Sequence, residues 1–128
     1  AIAKGAFLLL AADYRIGTEG AFKIGLNEVL IGMTMHHAGI ALAKDRLTKP
    51  AFQRSVINGE LFNPTDAVNA GFLDCVVPAE HLMETALAMA TQMKQINMKA
   101  HSNTKLKVRK DLLEELDTAI ELDKTIPL

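Results

Sequence analysis

At 128 residues with 49% hydrophobic side chains, the chain is expected to form one domain or part of one, with enough apolar mass to bury a core. Its formal charge of −1 gives no electrostatic reason to expect nucleic acid or an anionic membrane as partner. Cys75 is the only cysteine, which excludes an intrachain disulfide framework and makes a reduced, cytoplasmic setting the expectation.

The chain opens on AIAKGAFLLLAAD, without a Met and already apolar. Natural domains usually begin with polar, poorly ordered residues, so a fragment or processed piece of a longer protein is expected. Asp13 and Arg15 close this run before it reaches membrane-spanning length. It is unlike a signal peptide, lacking a charged region ahead of the apolar part and a clear small-residue cleavage site. Gly5 to Ala12 is small and apolar throughout and predicts a short helix buried on all sides. Tyr14–Ile16 and Phe22–Gly25 predict short strands, separated by the turn-forming Gly17–Thr18–Glu19–Gly20.

From His37 to Leu47, residues Ile40, Leu42, Ala43 and Leu47 stand at helical spacing. Thr48 is placed to cap the next helix, with Pro50 in its first turn and an end near Ile57. Asn63 and Pro64 start another by the same logic, and Gly71 stops it. Phe72 to Val77 predicts a strand ended by Pro78. Leu82, Met83, Ala86, Leu87, Ala90 and Met93 form an apolar stripe between Ala79 and Met93. Leu106, Leu113, Leu116, Ala119 and Ile120 repeat it in a last helix from about Ser102 to Asp123. The pattern is α/β, with helices dominating the second half.

Glu28 is the only formally charged residue between Ile24 and Ala43. A carboxylate in so apolar a run is exposed by a bend, paired, or desolvated, and desolvation is one way to make a general base that works near neutral pH. Gly25 and Gly32 flank it and let the backbone approach a ligand closely. The plainer alternative is a Glu on the wet side of an edge strand or turn. His36 and His37 follow a Met-rich bend, and in an extended segment only one of the two faces a site. Met33 and Met35 either line a flexible pocket or fill core space. No metal is expected, for want of a third ligand near them, since His81 and His101 lie far along the chain. Cys75 reads as structural. The basic run Lys105–Lys107–Arg109–Lys110 reads as a solvated helix face or as a contact for phosphates.

Three segments, in order along the chain, carry a family resemblance: AIAKGAFLLLAADYRI, AFKIGLNEVLIGM and NGELFNPTDAVNAGFLDCVVPAEHL. The first resembles a Gly-rich turn opening a buried helix. The second resembles a Pro-Glu or Asn-Glu pair followed by Gly, and the third a region ending in Val-Val-Pro. Together they resemble the C-terminal half of a crotonase-superfamily protein, of the enoyl-CoA hydratase/isomerase group. The resemblance implies a ββα-spiral fold, with residues 1–78 as the C-terminal part of the spiral core and 79–128 as a helical trimerisation region. It implies an acyl-CoA thioester as substrate, no cofactor beyond the coenzyme A that the substrate carries, and a homo-oligomer, trimer or hexamer.

The same resemblance assigns roles. The backbone N–H of Lys4, with Gly5 next to it, stands where the family places one of two donors to the thioester oxygen, although the family usually carries Gly at the Lys4 position. The other donor belongs to the N-terminal half of the family fold. Hydration uses two carboxylates, and the first of these positions falls on Phe7, which transfers no proton. The second falls on Glu28. Keeping only the second, together with the words DYRI and IGLNE, resembles the Δ3,Δ2-enoyl-CoA isomerases, in which one Glu moves a proton from C2 to C4. Leu26, Val29 and Ile31 are expected to desolvate Glu28, and Phe7, Leu26, Met33 and His36 to meet the substrate. The alternatives are an enoyl-CoA hydratase, or a catalytically incomplete piece acting only as an assembly module.

Overall fold

In the computed structural model, which describes residues 1–125, the apolar run around Gly5 forms helix α1 (Lys4–Ala11) with Ala6 and Leu10 fully buried. Its burial is one-sided, contrary to expectation, because Leu8 on the opposite face is 75% exposed. Strand β1 (Ile16–Thr18) pairs in parallel with β4 (Cys75–Val77), Ile16 beside Cys75 and Thr18 beside Val77. Strand β2 (Ile24–Gly25) pairs antiparallel with β3 (Leu61–Phe62), Ile24 opposite Phe62. Helices α2 (His37–Arg46), α3 (Lys49–Val56) and α4 (Pro64–Ala70) lie between these strands in sequence. Helices α5 (Leu82–Met93), α6 (Met98–Val108) and α7 (Lys110–Thr125) follow them. The fold is mixed α/β. Residues 126–128, the end of the helical region expected over 79–128, lie outside the described residues.

The helices that carry their own punctuation stand within a residue of expectation. Thr48 Oγ1 accepts from the Ala51 N–H at 3.4 Å, and Asn63 Oδ1 from the Asp66 N–H at 2.8 Å, each with a proline in the first turn. Gly71 ends α4 with its N–H bonded to the Ala67 carbonyl at 3.1 Å. The core gathers where α1, α2, α4 and β2 meet. Leu10, Leu26 and Phe72 are fully buried there, and the Phe62 and Phe72 rings lie 5.8 Å apart.

The strands are shorter and shifted. The Arg15 N–H donates to Asp74 Oδ2 at 2.8 Å, and the Asp74 N–H returns to the Arg15 carbonyl at 2.8 Å. That exchange occupies the residues on both sides, so β1 begins at Ile16 and β4 at Cys75, and Gly17 and Thr18 are strand where a turn was expected. Phe22 stays outside the ladder and is exposed, while Phe72 and Leu73 are core residues that precede β4. Strand β3, two residues long, is too short to leave a periodic signal. The apolar stripe on α5 has no fully buried residue, and Met83 and Leu87 are exposed.

The single last helix is in fact two. Arg109 departs from helical geometry (φ −98°, ψ 11°), although its N–H still reaches the Lys105 carbonyl at 3.0 Å and its own carbonyl accepts from Leu113 at 2.9 Å. The kink has no glycine or proline to announce it. It coincides with an ion cluster in which Asp13 accepts from Lys105 at 2.8 Å and Arg109 at 3.0 Å, with His101 at 3.7 Å. Two members of the basic run are thus spent on Asp13.

Arg15 is buried, and its guanidinium bonds Asp74 at 3.2 Å and the Gly71 carbonyl at 2.8 Å. Burial alone would raise the Asp74 carboxyl, but the Arg15 bonds outweigh it and hold the group below its ordinary value of 3.8. Its folded value therefore lies below its unfolded one. The stabilisation is complete above the unfolded value and is lost as pH falls through the folded one. Asp74→Asn should lower the urea midpoint at neutral pH and flatten its fall below about pH 4. Identical acid sensitivity in the variant and the parent would place that loss elsewhere.

Candidate active site

Backbone bonds fasten the start of α1 to β2. The Gly25 N–H donates to the Ala1 carbonyl at 3.2 Å, and the Ala3 N–H donates to the Gly25 carbonyl at 3.0 Å, a parallel bridge around Ile2. A Cβ on Gly25 would sit 2.9 Å from the Glu60 carbonyl oxygen and 2.9 Å from a Leu61 methyl. The close approach that this glycine permits is to β3, not to a ligand as the sequence suggests. Gly32 is needed for its conformation instead, closing the next turn with φ 81° and open space around its Cβ direction.

That turn is a short 3-10 helix over Glu28–Ile31. Its polarity runs opposite to solubility: Glu28 is 7% exposed, whereas Val29, Leu30 and Ile31 are 38%, 63% and 63% exposed. Leu26 alone among the expected neighbours is buried, while Ile31 lines the same cavity as Glu28 and Val29 does not. Glu28 Oε2 is buried and has no hydrogen-bond partner among the described residues. A carboxylate oxygen without a partner in such a place costs free energy, and its position is maintained by the turn rather than by a bond of its own.

Glu28 lines a cavity of about 510 Å³ together with Lys4, Phe7, Met33, His36 and Asp123. Lys4 is the first residue of α1, so its N–H has no acceptor four residues back, and no backbone carbonyl takes it among the described residues. Ala3 before it has φ 55° and ψ −120°, a strained conformation for any residue with a Cβ. The Gly5 N–H is already bonded to the Ile2 carbonyl at 3.1 Å, and Gly5 does not line the cavity. Leu26 does not line it either, being fully buried in the core.

Phe7 meets the His36 ring edge-on, with centroids 5.4 Å apart at 81°. Gly39 makes room for both, since a Cβ there would be 2.7 Å from each ring. His36 faces the cavity and His37, the first residue of α2, does not, as expected for adjacent residues in an extended segment. Met33 lines the cavity and Met35 is core. Lys105 and Arg109 lie elsewhere, at Asp13, and Cys75 is half-buried in β4.

Asp123 is the charged cavity residue that the sequence did not point to. Helix α2 has no side-chain cap of its own at His36. Asp123 on α7 supplies one from 86 residues away, accepting the His37 N–H at 2.7 Å and the Ala38 N–H at 3.0 Å. The Ala38 bond leads the effects that hold this carboxyl below its ordinary value. Burial opposes it, and the His37 bond and both imidazoles assist it. The only local clue is negative: α2 begins without Ser, Thr, Asp or Asn before it, so its first N–H groups are satisfied from elsewhere.

Residues 1–127 match the sequence model of the enoyl-CoA hydratase/isomerase family. The chain belongs to that family. Human mitochondrial enoyl-CoA delta isomerase 1 is 32% identical over 122 residues, which cover 94% of this chain and 40% of the relative. The crystal structure of an enoyl-CoA hydratase/isomerase family protein from Pseudomonas syringae matches with a TM-score of 0.98 and 67% identity, over 100% of this chain and 56% of that one. An enoyl-CoA hydratase from Mycobacterium ulcerans matches at TM-score 0.92 and 35% identity, over 98% of this chain and 54% of that one. Human mitochondrial delta3-delta2-enoyl-CoA isomerase matches at 0.88 and 32%, over 95% and 48%. The chain therefore has the crotonase-superfamily fold and spans about half the length of these solved relatives. Both isomerases and hydratases of the family stand among them.

The strain at Ala3 is open to test. A non-glycine residue held in such a region costs about 1–3 kcal/mol, against roughly 1 kcal/mol for the extra freedom of a glycine in the unfolded chain. Ala3→Gly should therefore raise stability by about 1 kcal/mol, read as a higher urea midpoint at constant slope. A lower midpoint would mean that Ala3 is unstrained.

Proposed function

We propose that this chain carries the base-bearing part of a Δ3,Δ2-enoyl-CoA isomerase site, with Glu28 moving the proton on an acyl-CoA thioester. The C2–H bond of a 3-enoyl-CoA breaks as Glu28 takes the proton. The electron pair passes to the thioester oxygen, giving an enolate. When the enolate collapses, its C1–C2 π pair forms the C2=C3 double bond, the C3=C4 π bond breaks, and that pair takes the proton back from Glu28 at C4. No atom is gained or lost, so one carboxylate suffices and no added cofactor is required. The Lys4 N–H, at the positive end of α1, is the donor this chain offers to the enolate oxygen. The second donor belongs to the N-terminal half of the family fold.

The observation that carries this reading is a single carboxylate, buried and unpartnered at Oε2, facing Phe7 in one apolar cavity. Asp123 is no substitute for the missing acid, because both of its oxygens are occupied by backbone N–H groups. Hydration of a 2-enoyl-CoA is the second reading, favoured by the hydratase among the solved relatives. Phe7 stands against it, because it puts an apolar ring where the resemblance places the second carboxylate. The apolar residues left exposed on α5 and α7, Met83, Leu87, Leu113 and Ile120 among them, fit assembly into a homotrimer or hexamer.

Double-bond migration in a 3-enoyl-CoA should be readily detected with the full-length protein, and hydration of a 2-enoyl-CoA should be slow beside it. Glu28→Gln keeps the shape and removes the base, so kcat should fall by about 10³-fold while the fold persists. Unchanged turnover in that variant removes Glu28 as the base. Faster hydration than migration in the parent protein gives the preference to the hydratase reading.

A further inference from the structure

Glu28 is not alone in the cavity in being able to move a proton. Lys4, His36 and Asp123 are the other titratable side chains that line it. Both Asp123 oxygens are engaged by backbone N–H groups, at 2.7 and 3.0 Å, and a lysine ammonium has donors only. That leaves His36 beside Glu28. The His36 ring is fixed by packing: Phe7 meets it edge-on with centroids 5.4 Å apart, and Gly39 leaves the space that both rings fill. Its nitrogens have no hydrogen-bond or ion-pair partner among the described residues, whereas His81 and His101 face Glu84 at 3.2 Å and Asp13 at 3.7 Å. A neutral imidazole carries one acceptor nitrogen, so it can take a proton when a partner arrives. The Asp123 carboxylate, bonded to the N–H that directly follows His36, favours the positive ring that results.

We infer that His36 is a second catalytic residue, the base for a slower second reaction in this cavity, the addition of water to a 2-enoyl-CoA. The inference rests on the acyl-CoA reading proposed above and extends it from one reaction to two. Neutral His36 takes a proton from water as the water oxygen bonds to C3. The C2=C3 π pair moves to C1–C2 and the carbonyl π pair to the thioester oxygen, giving an enolate as in migration. When the enolate collapses, its C1–C2 π pair takes a proton from Glu28 at C2, so Glu28 begins this reaction as the acid. The imidazolium then passes its proton to the Glu28 carboxylate, directly or through water, and the product is a 3-hydroxyacyl-CoA. Migration occupies one proton carrier and hydration occupies two, so a cavity with a single carboxylate free to react serves both. Hydration is the slower because a water must be seated as well as the thioester.

The test measures, in the full-length protein, migration in a 3-enoyl-CoA and hydration of a 2-enoyl-CoA of the same chain length, and reads the ratio of the two kcat values. The parent should hydrate at a measurable rate. His36→Gln keeps polarity without a base, and His36→Phe keeps a ring against Phe7 without a nitrogen. Both variants alter the cavity and both rates are free to fall, but the hydration-to-migration ratio should drop by about 10²-fold in each. A role in packing alone is retained by the phenylalanine variant, which also serves if the glutamine one folds poorly. A ratio within about threefold of the parent in either folded variant overturns the inference, as does a parent that migrates double bonds without hydrating. Either result leaves the Glu28 reading standing. If the parent performs neither reaction and binds neither thioester, the acyl-CoA reading fails and this inference with it.

Discussion

Gly25 exchanges two backbone hydrogen bonds with the first three residues of the chain, at 3.2 and 3.0 Å, and the geometry of the cavity follows from that exchange. It sets the start of α1, and with it the free Lys4 N–H, beside the strand that leads into Glu28. On its other side Gly25 is pressed against the Glu60 carbonyl, so a strand of two residues is held from both flanks. Neither the donor nor the acid bonds to the other. They share a cavity because the backbone beneath them is shared, which is the kind of support that keeps a site in place before a ligand arrives.

The turn at Glu28–Ile31 carries the chemical cost of this arrangement. An acid turned inward and three aliphatic residues turned outward would lose free energy in an isolated domain, and the surrounding fold must impose it. Gly32 at φ 81° and the Met33 N–H, bonded to the Glu28 carbonyl at 2.9 Å, close the turn so that the carboxylate is directed into the cavity. A buried oxygen without a partner is the observation on which the proposed role of Glu28 rests.

Helix ends were legible because capping is a matter of three or four consecutive residues, as at Thr48, Asn63 and Gly71. The first two family segments pointed to Lys4, Phe7 and Glu28, which line one cavity, as do Met33 and His36. Gly5 and Leu26 do not, one because its N–H closes the helix turn and the other because it is core. What stayed hidden was long-range. Asp74 moving the strand starts and Asp123 capping a helix far back in the chain have no local pattern to betray them. The break at Arg109 belongs with these, since its partner Asp13 lies 96 residues away. The outward face of Val29–Ile31 was misjudged for another reason: hydrophobicity along a sequence shows how apolar a segment is, not which way it turns.

The kink at Arg109 makes α7 a separate rod with a fixed pivot. Asp13, gripped by Lys105 and Arg109, anchors one end, and Asp123 reaches the cavity near the other. At the rise of an α-helix the two are about 20 Å apart, so a tilt of about 6° at the pivot shifts the far end by about 2 Å. That is enough to break a hydrogen bond of 2.7 Å. A surface cluster of ordinary ion pairs therefore has mechanical leverage over a wall it never touches, and substitutions at Asp13 belong to the cavity as much as to the surface.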